Sequence, residues 1–267
     1  MTDVEKLTFG ELERDGIIRA DWGSWHPSLC DQRDQLGSDA NPETTLCMRL
    51  FLRSDTKQEK AERKGWPNKL LRFKTLKCLK VNGCTPELFE SICMLPALRR
   101  LSIVRGRVPS LHGLNGIPDL THFYYCGSPR LASLEGLNEL KSLVGLSLVG
   151  NFESVRTLDP IANVSELQSL CLCANDFCQN RYESLTPIGA LSKLRDLAVL
   201  STKVDRDGLF PIGKLRGLQY LTLAEDQLRF WSIAEFRHLH ENLPNLKGNL
   251  IRLAANDVDF QREHKIR

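Results

Sequence analysis

His122 and Cys126 form the pair of residues in this sequence whose types best suit chemistry, an imidazole base four places before a thiol. A base and a nucleophile must lie within hydrogen-bond reach, and on an extended strand residues at this spacing stand about 13 Å apart. His238 and His240 sit two places apart, so on a helix they point in different directions, and no carboxylate or cysteine lies at a metal-ligand spacing from them. The nine cysteines, at 30, 47, 78, 84, 93, 126, 171, 173 and 178, contain no C-x₂-C pair. Their odd number argues against a disulfide framework and a zinc module alike, so they read as small buried hydrophobes with free thiols. No phosphate-cradling glycine loop, nucleophile elbow or dinucleotide fingerprint occurs. The expectation is a protein that is not an enzyme, with no catalytic residue, no metal and no cofactor.

The elements that carry these residues follow from a repeat. In "LTPIGALSKLRDLAVL" apolar side chains recur at 185, 188, 191, 194 and 197, a spacing that neither an amphipathic helix nor a half-buried strand produces. The unit is L-x-x-L-x-L-x-x-(N/C/T/S/D), starting at Leu76, Leu98, Leu120, Leu143, Leu167, Leu194 and Leu218, at intervals of 22, 22, 23, 24, 27 and 24 residues. Weaker copies flank it, with Cys47, Leu50, Leu52 and Asp55 before and Ile251, Leu253 and Asn256 after. Each L-x-L predicts a short strand whose leucines point inward and whose intervening residue points out. Each second half suits a tight 3₁₀-like segment whose i and i+3 side chains share one face. A single unit cannot bury enough apolar surface to offset its backbone entropy, so neighbouring units must stack.

With these residues in view, the sequence resembles the leucine-rich repeat family. The second halves "LHGLNGI", "LEGLNEL", "LDPIANV", "LTPIGAL" and "LFPIGKL" are similar to the 22-residue SDS22-like and internalin-like type. The resemblance covers roughly residues 46 to 258. It implies an α/β repeat solenoid, an arc with a parallel β-sheet on its concave side and short 3₁₀ or helical segments on its convex side, capped at both ends. Residues 1–45 read as an N-terminal cap, with a separate recognition element built on Trp22 and Trp25 as the alternative; 46–258 are the solenoid of about eight or nine strands, and 259–267 a charged tail. Two helices interrupt the repeats. One follows a capping box at Thr56 and Glu59 and ends near Gly65 and Pro67, and the other follows a box at Ser232 and Glu235.

The outward strand positions supply the candidate contacts. A basic and aromatic group comprises Arg49, Arg53, Lys80, Arg100, Arg105, His122 and Tyr124, with Tyr220 further along the arc. The longest unit adds loop residues Phe177, Arg181 and Tyr182. Nine strands at about 4.8 Å make a face on the order of 40 Å long, enough for a protein interface. The chain has 267 residues, 42% hydrophobic and 26% charged, with a formal net charge of +3, too little to argue for nucleic acid. It lacks the roughly 18 consecutive apolar residues of a membrane span, and its start, "MTDVEKLTFGELERDG", is charged where a signal peptide is apolar. These features lead to the expectation of a cytoplasmic, non-catalytic binding protein with a protein partner, no membrane and no small-molecule substrate. It would act by occupancy, as an inhibitor or toxin-immunity protein. A regulatory subunit of an enzyme such as a phosphatase is the alternative, and nucleic-acid binding through the basic N-terminal half a weaker one.

Overall fold

The structure, a computed structural model, describes residues 35–36, 40–52, 57–127, 129–174, 178–223, 230–244 and 246–248. Alternation of leucines with outward residues produces one parallel sheet of ten strands: β1 (Gln35–Leu36), β2 (Cys47–Phe51), β3 (Cys78–Asn82), β4 (Arg100–Gly106), β5 (His122–Gly127), β6 (Gly145–Gly150), β7 (Ser169–Cys173), β9 (Asp196–Leu200), β11 (Tyr220–Leu223) and β12 (Lys247–Gly248). Each strand pairs with the next copy in the chain, and the inward residues Leu79, Leu101, Phe123, Leu146, Leu170, Leu197 and Leu221 stand in one continuous row. The row and its companions are buried in a single apolar core that runs the length of the solenoid. The leucine-rich repeat arc is therefore the fold.

The second halves turn in two ways. Where glycine precedes the segment, as in Leu114–Gly116 and Leu137–Glu139, the chain enters through a left-handed residue. Gly136 is one of these, at φ 101°, and a Cβ there would lie 2.2 Å from the Leu111 carbonyl oxygen. Where proline stands in the first turn, as in Asp159–Ile161, Thr186–Gly189 and Phe210–Lys214, its fixed φ starts the segment instead.

Three features differ from the sequence reading. The unit written from Cys47 has the wrong register: Met48 and Leu50 align with Leu79 and Val81, so its first place is Thr45. A slip of two leaves every side chain on its original face, so Arg49 and Phe51 still point outward. Helix α1 (Lys57–Leu70) continues through Gly65 and Pro67, because Trp66 and Leu70 are drawn into the core where α1 packs on α2 (Pro86–Cys93). Thr56 of its expected cap lies outside the described residues, as do Trp22, Trp25, Ile251, Leu253 and Asn256. The last described strand of the sheet is Lys247–Gly248. The extra residues of the longest unit, finally, form β8 (Asn180–Tyr182), which pairs with β10 (Thr202–Val204) in a separate two-stranded parallel sheet.

The capping box at Ser232 and Glu235 opens α4 (Ile233–Asn242), α3 being the short turn Thr186–Gly189. Glu235 also accepts a hydrogen bond from the Leu209 backbone at 2.8 Å, tying the helix to the preceding coil.

Candidate functional site

The outward side chains form three columns across the sheet. The first holds Cys47, Cys78, Arg100, His122, Gly145, Ser169, Asp196 and Tyr220. It is buried throughout, with Arg100 at 1% exposure and Asp196 at 0%. Ser169 donates to Asp196 at 2.8 Å, and the Lys247 ammonium stands 5.1 Å over the Tyr220 ring. The second column runs Arg49, Lys80, Ser102, Tyr124, Ser147, Cys171, Ala198 and Thr222, and of these only Arg49, Tyr124, Cys171 and Thr222 are half-exposed.

The third column is the accessible one. Phe51, Asn82, Val104, Cys126, Val149, Cys173 and Leu200 follow one another from β2 to β9, Phe51 exposed and the rest half-exposed. Six of these seven are apolar or thiol side chains, so a greasy stripe crosses the face where water would be expected to meet polar groups. Arg49 extends over the Phe51 ring at 5.8 Å and flanks one end. The sequence reading had these residues among its outward positions but weighted arginine and tyrosine above them; the signal was an outward position filled by a non-charged, mostly apolar or thiol residue in strand after strand.

The expected contacts are thus dispersed. Lys80, Arg100, His122 and Tyr220 lie on the outward side but are buried and engaged, His122 through Nδ1 with the Thr121 hydroxyl at 3.0 Å. Tyr182 belongs to the core, since its position in β8 turns it under the coil. Arg181 is exposed and bound at 2.5 Å to Asp205, which also pairs with Arg156. The hydrogen bond from Arg181 holds the Asp205 carboxyl below the usual carboxylate range. Arg49, Arg105 and Tyr124 remain accessible on or beside the stripe. Arg53 and Phe177 lie outside the described residues.

Cys78, Cys84, Cys93 and Cys126 are the wrong kind of thiol for nucleophilic chemistry. Burial pushes Cys78 up to about 11 against the opposing pull of Arg100, and Cys93 up to about 12. Cys84 is driven higher still by burial and by Cys93 beside it. Burial also raises Cys126, although hydrogen bonds from Tyr124 and the Arg105 backbone partly oppose it. A reactive cysteine shows the reverse, a thiolate stabilised near neutral pH. Cys78, Cys84 and Cys93 are therefore expected to resist iodoacetamide at pH 8 in the folded protein and to react fully in guanidinium, as read by mass spectrometry of tryptic peptides; rapid labelling of Cys84 in the native state would contradict the burial described. Cys47 departs from the expectation of nine free thiols, because it is disulfide-bonded. The seven other described cysteines are free. Among the described residues no three His, Cys, Asp or Glu side chains converge to hold a metal ion, and no helix is long and apolar enough to cross a membrane.

A solved structure of similar fold agrees with this architecture. Solved structures similar to the chain include a leucine-rich-repeat protein of Leptospira interrogans, with a TM-score of 0.50, 16% identity, and coverage of 80% of this chain and 59% of that one. An internalin, InlF, of Listeria monocytogenes gives a TM-score of 0.49 at 16% identity over 67% of this chain and 54% of that one. The chain thus spans little more than half the length of either relative. At this identity the likeness concerns the fold alone, and the fold is that of leucine-rich-repeat proteins. No protein-family model matches the sequence, and no curated protein sequence does.

Proposed function

We propose that this chain is a protein-binding module that works by occupancy, holding one protein partner across the concave face of its arc. The observation that carries this reading is the largely apolar stripe from Phe51 to Leu200, laid along the accessible edge of the sheet. Water-facing apolar side chains are stabilised when a partner covers them, at about 25 cal/mol per Å² of apolar surface removed from water. No reacting pair accompanies them, so the output is blockade of the partner, as in an inhibitor or toxin-immunity protein. Regulation of an enzyme such as a phosphatase would use the same surface and is the second form of the same reading.

Affinity capture with the full chain tests it. The wild type should retain a specific protein that Val149→Lys, at the middle of the stripe, binds about tenfold more weakly while keeping its thermal midpoint. Equal retention by both chains would remove the stripe from the interface. A nucleic-acid role predicts instead a salt-sensitive shift of RNA or DNA lost when the exposed lysines of α1, Lys60 and Lys64, are replaced.

A further inference from the structure

The strand β4 carries a bulge. Its register against β5 jumps between Val104 and Gly106, and the residue squeezed out is Arg105, held at φ 55°. The corresponding residue of the preceding coil, just beyond the Asn82–Val104 pair, is Gly83 at φ 90°. Glycine enters this left-handed region freely, whereas any residue with a Cβ is strained there. Ser201 adopts the same conformation beyond β9 with a small side chain; at Arg105 the strained backbone carries one of the longest side chains available. That side chain is exposed and, among the described residues, forms no ion pair. Bulges re-aim side chains and recur next to functional sites, and strain persists where it serves such a site.

Two more guanidinium groups follow in the loops that leave β4 and β5. The Ser110–Ser133 bridge pairs these two coils, and Arg107 and Arg130 each stand three residues before it. Both are exposed, and neither forms an ion pair among the described residues. Backbone strain at Arg105 works against the folded chain. In the strands that these loops leave stand the half-exposed Val104 and Cys126, with Val149 next in the same column.

We propose that Arg105, with Arg107 and Arg130, receives the carboxylates of an acidic segment of the protein partner while that segment's apolar side chains seat on the stripe. This rests on the reading of the stripe as a protein-binding face. Guanidinium forks match carboxylate geometry, which accounts for the anionic half of the ligand. The aliphatic half selects a polypeptide over a nucleic acid, whose phosphate track needs cations along its whole length and whose bases need free aromatic rings.

The decisive variant is Arg105→Gly, which removes the side chain and relieves the backbone together. The probes are a fluorescent peptide of alternating glutamate and leucine, its glutamine counterpart and a fluorescent DNA duplex, each titrated into the full chain by anisotropy. The glutamate peptide should bind, weakening as salt rises, and should bind Arg105→Gly about tenfold more weakly. The glutamine peptide should be weak and indifferent to the variant, and the thermal midpoint of Arg105→Gly should rise by about 2 °C. Failure of the glutamate peptide to bind, unchanged affinity in Arg105→Gly, a fall in its midpoint, or duplex binding that depends on Arg105 would each overturn the proposal. If Val149→Lys releases the captured partner while Arg105→Gly leaves the glutamate peptide unaffected, the stripe stands and this inference alone fails.

Discussion

Asn180→Ala is expected to destabilise the protein by about 4 kcal/mol, the largest loss from any single polar side chain described above. Asn180 is fully buried in β8; its Oδ1 accepts from the Phe152 backbone N–H at 2.8 Å, and its Nδ2 donates to the Gly150 carbonyl at 3.0 Å. Phe152 is itself buried, so truncation leaves an N–H and a carbonyl without partners inside the coil, each at a penalty of roughly 1–3 kcal/mol. In a chain of this size the thermal midpoint should fall by roughly 10 °C. Asn180→Asp should lose at least as much at neutral pH, since it keeps the acceptor for Phe152 but sets a buried carboxylate oxygen against the Gly150 carbonyl. A midpoint unchanged within a degree or two in Asn180→Ala would show that the side chain does not carry this part of the fold.

Gly127→Ala is expected to cost about 3 kcal/mol for a steric reason. A Cβ at Gly127 would stand 2.2 Å from Tyr125 Cε1, and one at Gly106, on the other edge of the ring, 2.4 Å from Cε2. The ring is fully buried between Phe123, 6.3 Å away, and Phe152, 6.1 Å away, so it has no free direction in which to retreat. Combined with Tyr125→Leu, the alanine should lose most of its penalty, giving a coupling of about 2 kcal/mol in a double-mutant cycle. Strict additivity would mean that the backbone conformation at residue 127, not the ring, demands glycine.

The architecture was legible because its signals are local. A leucine two or three places from the next carries strand and turn alike, and Ser232 with Glu235 announces a helix within four residues. The first unit was misregistered because Thr45 and Met48 stand where later units have leucine. The stop at Pro67 was overridden by burial of Trp66 and Leu70, a tertiary effect no window of α1 contains. Asn180 gave no signal, since its partners lie in an earlier coil and share no period with it, and Asn151, which the repeat marks, is half-exposed and donates to Glu153 instead. For the candidate site, strand alternation told which way Arg100, His122 and Val149 point but not which of them water reaches. That difference moved the center of the surface from the first column to the third.

The two-stranded sheet of β8 and β10 has a mechanical consequence. Along the arc, successive coils are joined by strand pairing in the main sheet and by packing of their convex segments. Where β8 meets β10, and where Asp205 clamps Arg156 and Arg181, a second line joins the same coils and acts as a splint. That end of the arc is therefore braced twice, and the splinted coils can serve as a fixed anvil against which a ligand seated on the bowl is pressed.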